Sequence, residues 1–493
     1  MPLIRGYYFY GRYDPANHLG YITNILTLGS ITEYNIYPGI HIVTSIVALL
    51  TDVPPRILLS VIPPIYFLIY TLAAGLIIRY SFDFKSLTYA TPLLIIPIFR
   101  DATIKLAPSI QGFMFAIFIF YIYSKFFNTN DFRYIVILIT SVFAIVFYHP
   151  IAGLGIGFMI FLYVTVHQRD NQLTSFGAQT SYLILLLLGV IFLTWYSAFP
   201  IIGSHFVRVL ASLLPSSFIN FPTQGTSVDQ YKSFFGVLPI NYILQNAILR
   251  YGQIAILGVI SVLSVIGLIL RKRLNPVYIF FVIIFILSSF AAAVSMITDI
   301  IIGFGRISKY VIFSGTILSV WKIRDLNRRN KTQIALCVVT LILIFSLINL
   351  YSSPFTSSPN QQVAKNEQAI AEWTLEFRNQ DMLINELGFT QEKLLTTMGG
   401  RIGSSLPDSV RRKEQGVIPP PHFNYTKQNH LSQSYTTSQY LIITRLGRYY
   451  DRKMHPKYEF YWDYTPEDFN RLQSDPSVSK IYTNGESTNY LIR

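Results

Sequence analysis

Six apolar runs, near 57–79, 107–126, 181–199, 251–270, 276–297 and 333–352, are each long enough to cross a bilayer, which takes about 20 residues. A backbone in lipid must satisfy its own hydrogen bonds, so such runs fold as a helical bundle. Shorter or merged runs near 88–99, 134–148, 151–166 and 304–321 bring the count to about ten crossings. The stretch 134–166 breaks at His149-Pro150, where proline lacks a backbone donor, and this predicts a tight turn between two helices.

Charge divides the chain unevenly. Only 13% of residues are charged, about half the usual share of soluble domains. Residues 1–352 hold 23 basic and 10 acidic residues, a net of +13. Residues 353–493 hold 16 and 15, so 31 of the 64 charges lie in the last 141 residues. This predicts an external segment (1–56), a transmembrane domain (57–352) and a soluble domain (353–493). The basic excess sits in short loops between apolar runs and is no nucleic-acid footprint. Cys337 is the single cysteine, which excludes an intramolecular disulfide and a cysteine-based metal site.

Thirteen of the basic residues fall in alternate loops: Arg79, Lys85, Lys125, Arg133, Arg169, Arg271, Lys272, Arg273, Lys322, Arg324, Arg328, Arg329 and Lys331. The positive-inside rule makes those loops cytoplasmic. It places residues 1–56, Arg100 to Ala107, the 200–250 loop, Asp299 and the whole of 353–493 outside. Beyond a Ser/Pro/Asn linker from Ser352 to Gln362, residues 368–373 suit an amphipathic helix. Residues 441–445 and 480–484 suit short strands, and 419–430 a loop. A small α/β domain is expected. The chain shows no repeat, phosphate loop, nucleophile elbow or zinc-ligand spacing.

The densest polar cluster precedes the first long apolar run. It reads Tyr7-Tyr-Phe-Tyr-Gly-Arg-Tyr-Asp14-Pro-Ala-Asn17-His18-Leu-Gly20, followed by Glu33, Asn35 and Tyr37-Pro38-Gly39-Ile40-His41. Asp14 before Pro15 is a common helix start, with His18 one turn along. Capping explains Asp14 as readily as catalysis does. It leaves unexplained why so many polar and aromatic groups gather at a membrane surface.

Tyr-Asp-Pro-x-x-His-Leu-Gly, followed about twenty residues later by Tyr-Pro-Gly-x-His, resembles the first external loop of the GT-C glycosyltransferases. That superfamily includes the protein mannosyltransferases, the lipid A aminoarabinose transferase and the oligosaccharyltransferases. The likeness is greatest to archaeal and bacterial members of the glycosyltransferase-39-like type. It covers residues 1–352 in topology and residues 7–41 in motif. The family's first loop follows a first transmembrane helix, and this sequence is expected to lack that element.

The resemblance implies a polyprenyl-phosphate-linked sugar as donor and a glycan or protein as acceptor. An external-loop carboxylate, by position Asp14, would act as general base on a hydroxyl acceptor. The leaving phosphate needs positive charge where negative charge develops, which Lys or Arg at the outer face supplies. Arg100, Lys105, Arg306 and Lys309 are the candidates, with Arg250 just ahead of a helix. Arg306 and Lys309 are three residues apart and are expected to share a helix face. A charge at membrane depth is a functional hypothesis by default. Asp101 is a second carboxylate that can orient the acceptor, and His18 and His41 complete the expected binding set. No cofactor is required. A divalent metal, Mg or Mn, would need several oxygen ligands, and the sequence has no Asp-x-Asp. His18, His41 and His149 lack the close spacing of a zinc site. The lipid bilayer is the remaining partner. Two competing readings are a flippase for lipid-linked glycans and a non-catalytic, membrane-anchored envelope assembly protein. A flippase would show internal repeats with broken helices.

Overall fold

The computed structural model describes residues 7–12, 14–32, 35–82, 84–168, 175–199, 239–271, 275–298, 304–328, 331–353, 356, 359–379, 381–388 and 418–493. A short strand β1 (Phe9–Tyr10) leads into α1 (Asp14–Leu28) and α2 (Gly39–Thr51). The long apolar runs are helices α3 (Pro55–Ser81), α4 (Phe84–Ile95), α5 (Pro108–Thr129), α6 (Phe132–Tyr148), α7 (Pro150–Gln168) and α8 (Ser175–Ser197). They continue as α9 (Ile240–Leu270), α10 (Pro276–Thr298), α11 (Phe304–Arg328) and α12 (Thr332–Ile348). All ten expected runs are helical. Among the described residues, six are long and apolar enough to cross a membrane: Pro55–Tyr80, Pro108–Thr129, Pro150–Gln168, Gly177–Ser197, Ile240–Leu270 and Pro276–Ser295.

Local chemistry sets the helix ends. Pro108, Pro150 and Pro276 open their helices, where the missing backbone donor costs nothing. Asn130 ends α5 with φ of 54°, a left-handed conformation that asparagine tolerates. The break at His149-Pro150 is present: His149 is extended between α6 and α7. The largest boundary difference is at the start of α9. α9 begins at Ile240, about ten residues before the apolar run, so Arg250 lies inside the helix. Asn241, Gln245 and Asn246 interrupt the apolarity of its first turns.

The C-terminal part contains β2 (Gln362–Val363), α13 (Lys365–Phe377), β3 (Ile384–Leu387), β4 (Gln439–Ile443), α14 (Arg445–Met454), α15 (Pro466–Ser474), β5 (Val478–Thr483) and β6 (Thr488–Ile492). Four strands form a mixed sheet in the order β3-β4-β6-β5, with β3 parallel to β4 and the other pairs antiparallel. β4 is buried along its whole length, as a central strand with the pattern Gln-Tyr-Leu-Ile-Ile should be. One apolar core runs from the helical bundle through Val363, Ile370 and Ile384 to Ile442. The C-terminal part is thus packed against the bundle.

The presumed linker from Ser352 to Gln362 is a second correction. Gln362 and Val363 pair with Tyr10 and Phe9, and the amides of Tyr8 and Gly11 donate to Val363 and Gln361 at 3.0 and 2.7 Å. The buried Arg12 donates to the carbonyls of Gln362 (2.8 Å), Gly388 (2.9 Å) and Asn360 (3.3 Å), and to Glu367 Oε1 (2.8 Å). The N-terminal segment and the start of the C-terminal part therefore meet at one end of the bundle. The opposite end carries much of the basic excess. Arg271 pairs with Asp325 at 2.7 Å, Arg324 donates to Ser86, and Lys125 sits 3.8 Å over the Tyr80 ring. Lys85, Arg169, Lys272 and Arg273 lie outside the described side chains.

Asp475 organises the loop over 419–430. It accepts from Leu431 N (2.7 Å), Ser477 Oγ (2.8 Å), Ser477 N (2.9 Å), Tyr425 Oη (2.9 Å) and His430 Nδ1 (3.2 Å). Burial works to raise this carboxyl, but its donors outweigh burial and hold it below the usual carboxylate range. A depressed folded-state value stabilises above the unfolded one, about pH 3.9, and is lost as pH falls through the folded one. Asp475→Ala is expected to destabilise the protein by about 3 kcal/mol near neutral pH, since it strands buried donors. The deficit should shrink in that acid window, which thermal melts at pH 7 and pH 3 would measure.

Candidate active site

Asp14 is held from three directions. The β1–β2 ladder fixes the chain before it, and Arg12 anchors the turn. Gly11, with φ of 116°, lies against the Pro15 ring so closely that a Cβ would clash with it. Asp14 then opens α1, where proline in the next position favours helix. Its side chain is exposed.

Behind it, α1 and α2 share a polar chain. His41 Nδ1 is 2.8 Å from Asn35 Oδ1, and His41 Nε2 is 3.0 Å from His18 Nδ1. Burial, aided by neighbouring His18, holds His41 well below the ordinary histidine range, so it is neutral at pH 7. The amide oxygen only accepts, so His41 Nδ1 donates to it and Nε2 accepts from His18. His18 therefore keeps its proton on Nδ1. His41 was expected to bind substrate, but it is fully buried with both nitrogens engaged.

Four other side chains complete this group. Tyr37 stacks obliquely on His149, ring centroids 5.2 Å apart. Burial raises the Tyr37 phenol, Arg306 lowers it and Asp14 raises it, so both charges act on this ring. His149 is within electrostatic reach of Arg306, Lys309 and His18. Arg306 is exposed, whereas Lys309 is buried and donates to Ser109 O and Oγ, each at 3.1 Å. The shared face expected for these two cations is thus divided between an open position and an anchored one. The Tyr310 ring fills the space where a side chain at Gly155 would stand, bringing α11 against α7.

Arg100, Asp101 and Lys105 belong to a neighbouring group. With Arg250, Asn349, Ser352, Thr356, Pro359, Gln361 and Tyr450 they line a cavity of about 460 Å³. Neither Asp14 nor Arg306 is among the residues that line it. Asp101 does not stand as an open second carboxylate, because Lys105 Nζ lies 2.6 Å away, one helical turn along. Arg100 is no solvated loop residue: its guanidinium lies 5.6 Å over the Tyr251 ring, as does that of Arg250. Among the described residues no three of His, Cys, Asp and Glu converge on a point, and Asp299 lies outside them. Sequence reasoning passed over Tyr37, Ser109 and Tyr251 and took His149 for a helix end. The adjacent Pro150 and the Tyr37-Pro38-Gly39 turn were the signals available.

No family model and no curated protein sequence matches this chain. Among solved structures it is similar to the archaeal oligosaccharyltransferase AglB from Archaeoglobus fulgidus, in complex with an inhibitory peptide and a dolichol-phosphate. The TM-score is 0.53 and the identity 14%, over 89% of this chain and 66% of that one. ArnT from Cupriavidus metallidurans, in the apo state, has a TM-score of 0.43 and 11% identity over 98% of this chain and 94% of that one. The chain spans just under two thirds of the AglB chain's length. The likeness to AglB shows the fold alone: a bundle of apolar helices followed by a C-terminal part containing a small sheet.

Proposed function

We propose that the chain is an integral-membrane glycosyltransferase of the cell membrane. It moves a sugar from a polyprenyl-phosphate donor to a hydroxyl of an acceptor glycan or protein. The observation that carries this reading is that the exposed carboxylate of Asp14 and the exposed cation of Arg306 lie within electrostatic reach of one ring, Tyr37, which packs on His149 at 5.2 Å. This end of the bundle lies opposite the basic loops, and the positive-inside rule makes it extracytoplasmic.

In the proposed reaction Asp14 takes the proton of the acceptor hydroxyl as its oxygen attacks the anomeric carbon. The bond from that carbon to the phosphate oxygen breaks, and polyprenyl phosphate leaves with the electron pair. Arg306 and Lys309 stabilise the charge that develops there. Lys309 is preset by its two bonds to Ser109, and Arg306 is open to engage the donor. Gathering of these polar groups at one end of the bundle, rather than at mid-depth, supports transfer over transport.

The reading calls for no divalent metal. Incubating membranes containing the protein with radiolabelled polyprenyl-phosphate sugar is expected to give covalent incorporation into envelope material that survives mild acid, which cleaves the donor. That incorporation should persist in EDTA. Label that crosses the membrane without covalent incorporation would establish a flippase instead. Loss of transfer in EDTA, restored by Mg or Mn, would overturn the metal-independent mechanism.

A further inference from the structure

The second group has its own cavity, and its electrostatics are unbalanced. Asp101 and Lys105 neutralise one another, leaving the guanidiniums of Arg100 and Arg250 against the same Tyr251 ring. Among the described residues neither guanidinium lies within 4 Å of a carboxylate, and the Nε of each is sealed from water without a hydrogen-bond partner. Two like charges held together in a half-buried site repel, and each unmet buried donor costs free energy. Arg100 also sits at φ of 64°, a conformation uncommon for a non-glycine residue and frequent at functional sites. Burial and the proximity of Arg250 disfavour its charged form, and the support of Asp101 and of the Tyr251 hydroxyl does not offset them. An oxyanion between the two arginines relieves the repulsion and satisfies the donors at once, in the geometry arginine offers to carboxylate or phosphate.

The remaining lining suggests what bears the oxyanion. Asn349, Ser352, Thr356 and Gln361 line it with amides and hydroxyls; the Asn349 amide nitrogen is engaged by Leu249 O and Phe345 O, which leaves its Oδ1 without a partner and able to accept from a sugar hydroxyl. The cavity lies where the bundle meets the 349–361 segment and Tyr450, and its lining is polar rather than suited to an acyl chain. Its volume of about 460 Å³ falls within the range of small-ligand sites, about 300–1,000 Å³.

We propose that this cavity binds an acidic sugar of the acceptor, with Arg100 and Arg250 holding its carboxylate or phosphate oxyanion. This assignment rests on the glycosyltransferase reading for the word acceptor, but binding can be measured without transfer. The full chain in neutral-lipid nanodiscs is titrated with a short polyglucuronate and with a neutral oligosaccharide of equal length. The acidic oligosaccharide is expected to bind at least tenfold more tightly. Arg100→Gln and Arg250→Gln should each remove at least tenfold of its affinity. Asp101→Asn, which releases Lys105 toward the anion, should tighten it. Because the effects have opposite signs, general misfolding cannot produce both.

Equal binding of the two oligosaccharides, or unchanged affinity in the arginine variants, would overturn the proposal. So would displacement of polyglucuronate by phosphatidylglycerol at molar ratios where inorganic phosphate does not compete, because the site would then belong to a lipid headgroup. Asp14→Asn should leave polyglucuronate affinity unchanged. Binding that persists in a chain showing no transfer would sink the catalytic reading while leaving this site in place.

Discussion

Asp14→Asn is expected to lower transfer by about 10²–10⁴-fold, the usual contribution of a general base, while leaving the fold intact. Asparagine keeps the size of the side chain and still opens a helix. It cannot take a proton at neutral pH. The devices that place residue 14 lie elsewhere: the β1–β2 ladder, the Arg12 anchor and the Gly11 turn. The substitution therefore separates the structural role of Asp14 from the chemical one. Normal insertion and an unchanged melting temperature with transfer lost would support the base. Near-normal transfer would reduce Asp14 to a helix start and send the search to Asp299, since Asp101 is already paired with Lys105.

Arg12→Ala is expected to cost about 3–5 kcal/mol, as removing one partner of a buried ion pair does. The two side chains are 6% and 8% exposed. Arg12 also satisfies three backbone carbonyls, so the loss extends beyond one charge pair. Its removal leaves Glu367 buried without its cation. Burial already raises this carboxyl above the ordinary range despite Arg12, and it should rise further in the variant. A raised folded-state carboxyl loses stability as pH climbs from the unfolded value, about 4.3, through the folded one. The deficit of Arg12→Ala should therefore shrink as pH falls back through that window. Hydrogen exchange at the amides of Tyr8 and Gly11, which donate to Val363 and Gln361, would report the loosening directly. If those amides keep wild-type protection at pH 7, Arg12 does not hold the N-terminal segment to the C-terminal part. Because the same turn places Asp14, transfer should fall in this variant without any change to a reacting group.

The helical part of the fold was legible because its signal is local. Ten apolar stretches each specify a helix through their own length and composition, and His149-Pro150 specifies a break through one missing backbone donor. The amphipathic helix at 365–377 and the strands at 439–443 and 478–483 were likewise readable from short-range pattern. Asp14 at a helix start, and a cationic pair on α11, follow from residue identity and spacing.

What the sequence could not show is which distant residues meet. Phe9 and Tyr10 pair with residues more than 350 positions away through only two residues of strand, too short to carry a period. A reading by composition took 352–362 for a linker, yet part of it is a strand and part a cavity wall. Spacing put Arg306 and Lys309 on one face. The packing of α11 against α5 sends Lys309 to Ser109 and leaves Arg306 open. The sequence alone determined that a polytopic helical bundle forms and which end of it collects the polar chemistry, since bilayer length and charge bias act on contiguous segments. Tertiary structure alone decided which of these residues line the two-arginine cavity, and that Asp14 and Arg306 are not among them. That selection depends on long-range contacts between helices and the segments that meet at their end, and no local periodicity encodes it.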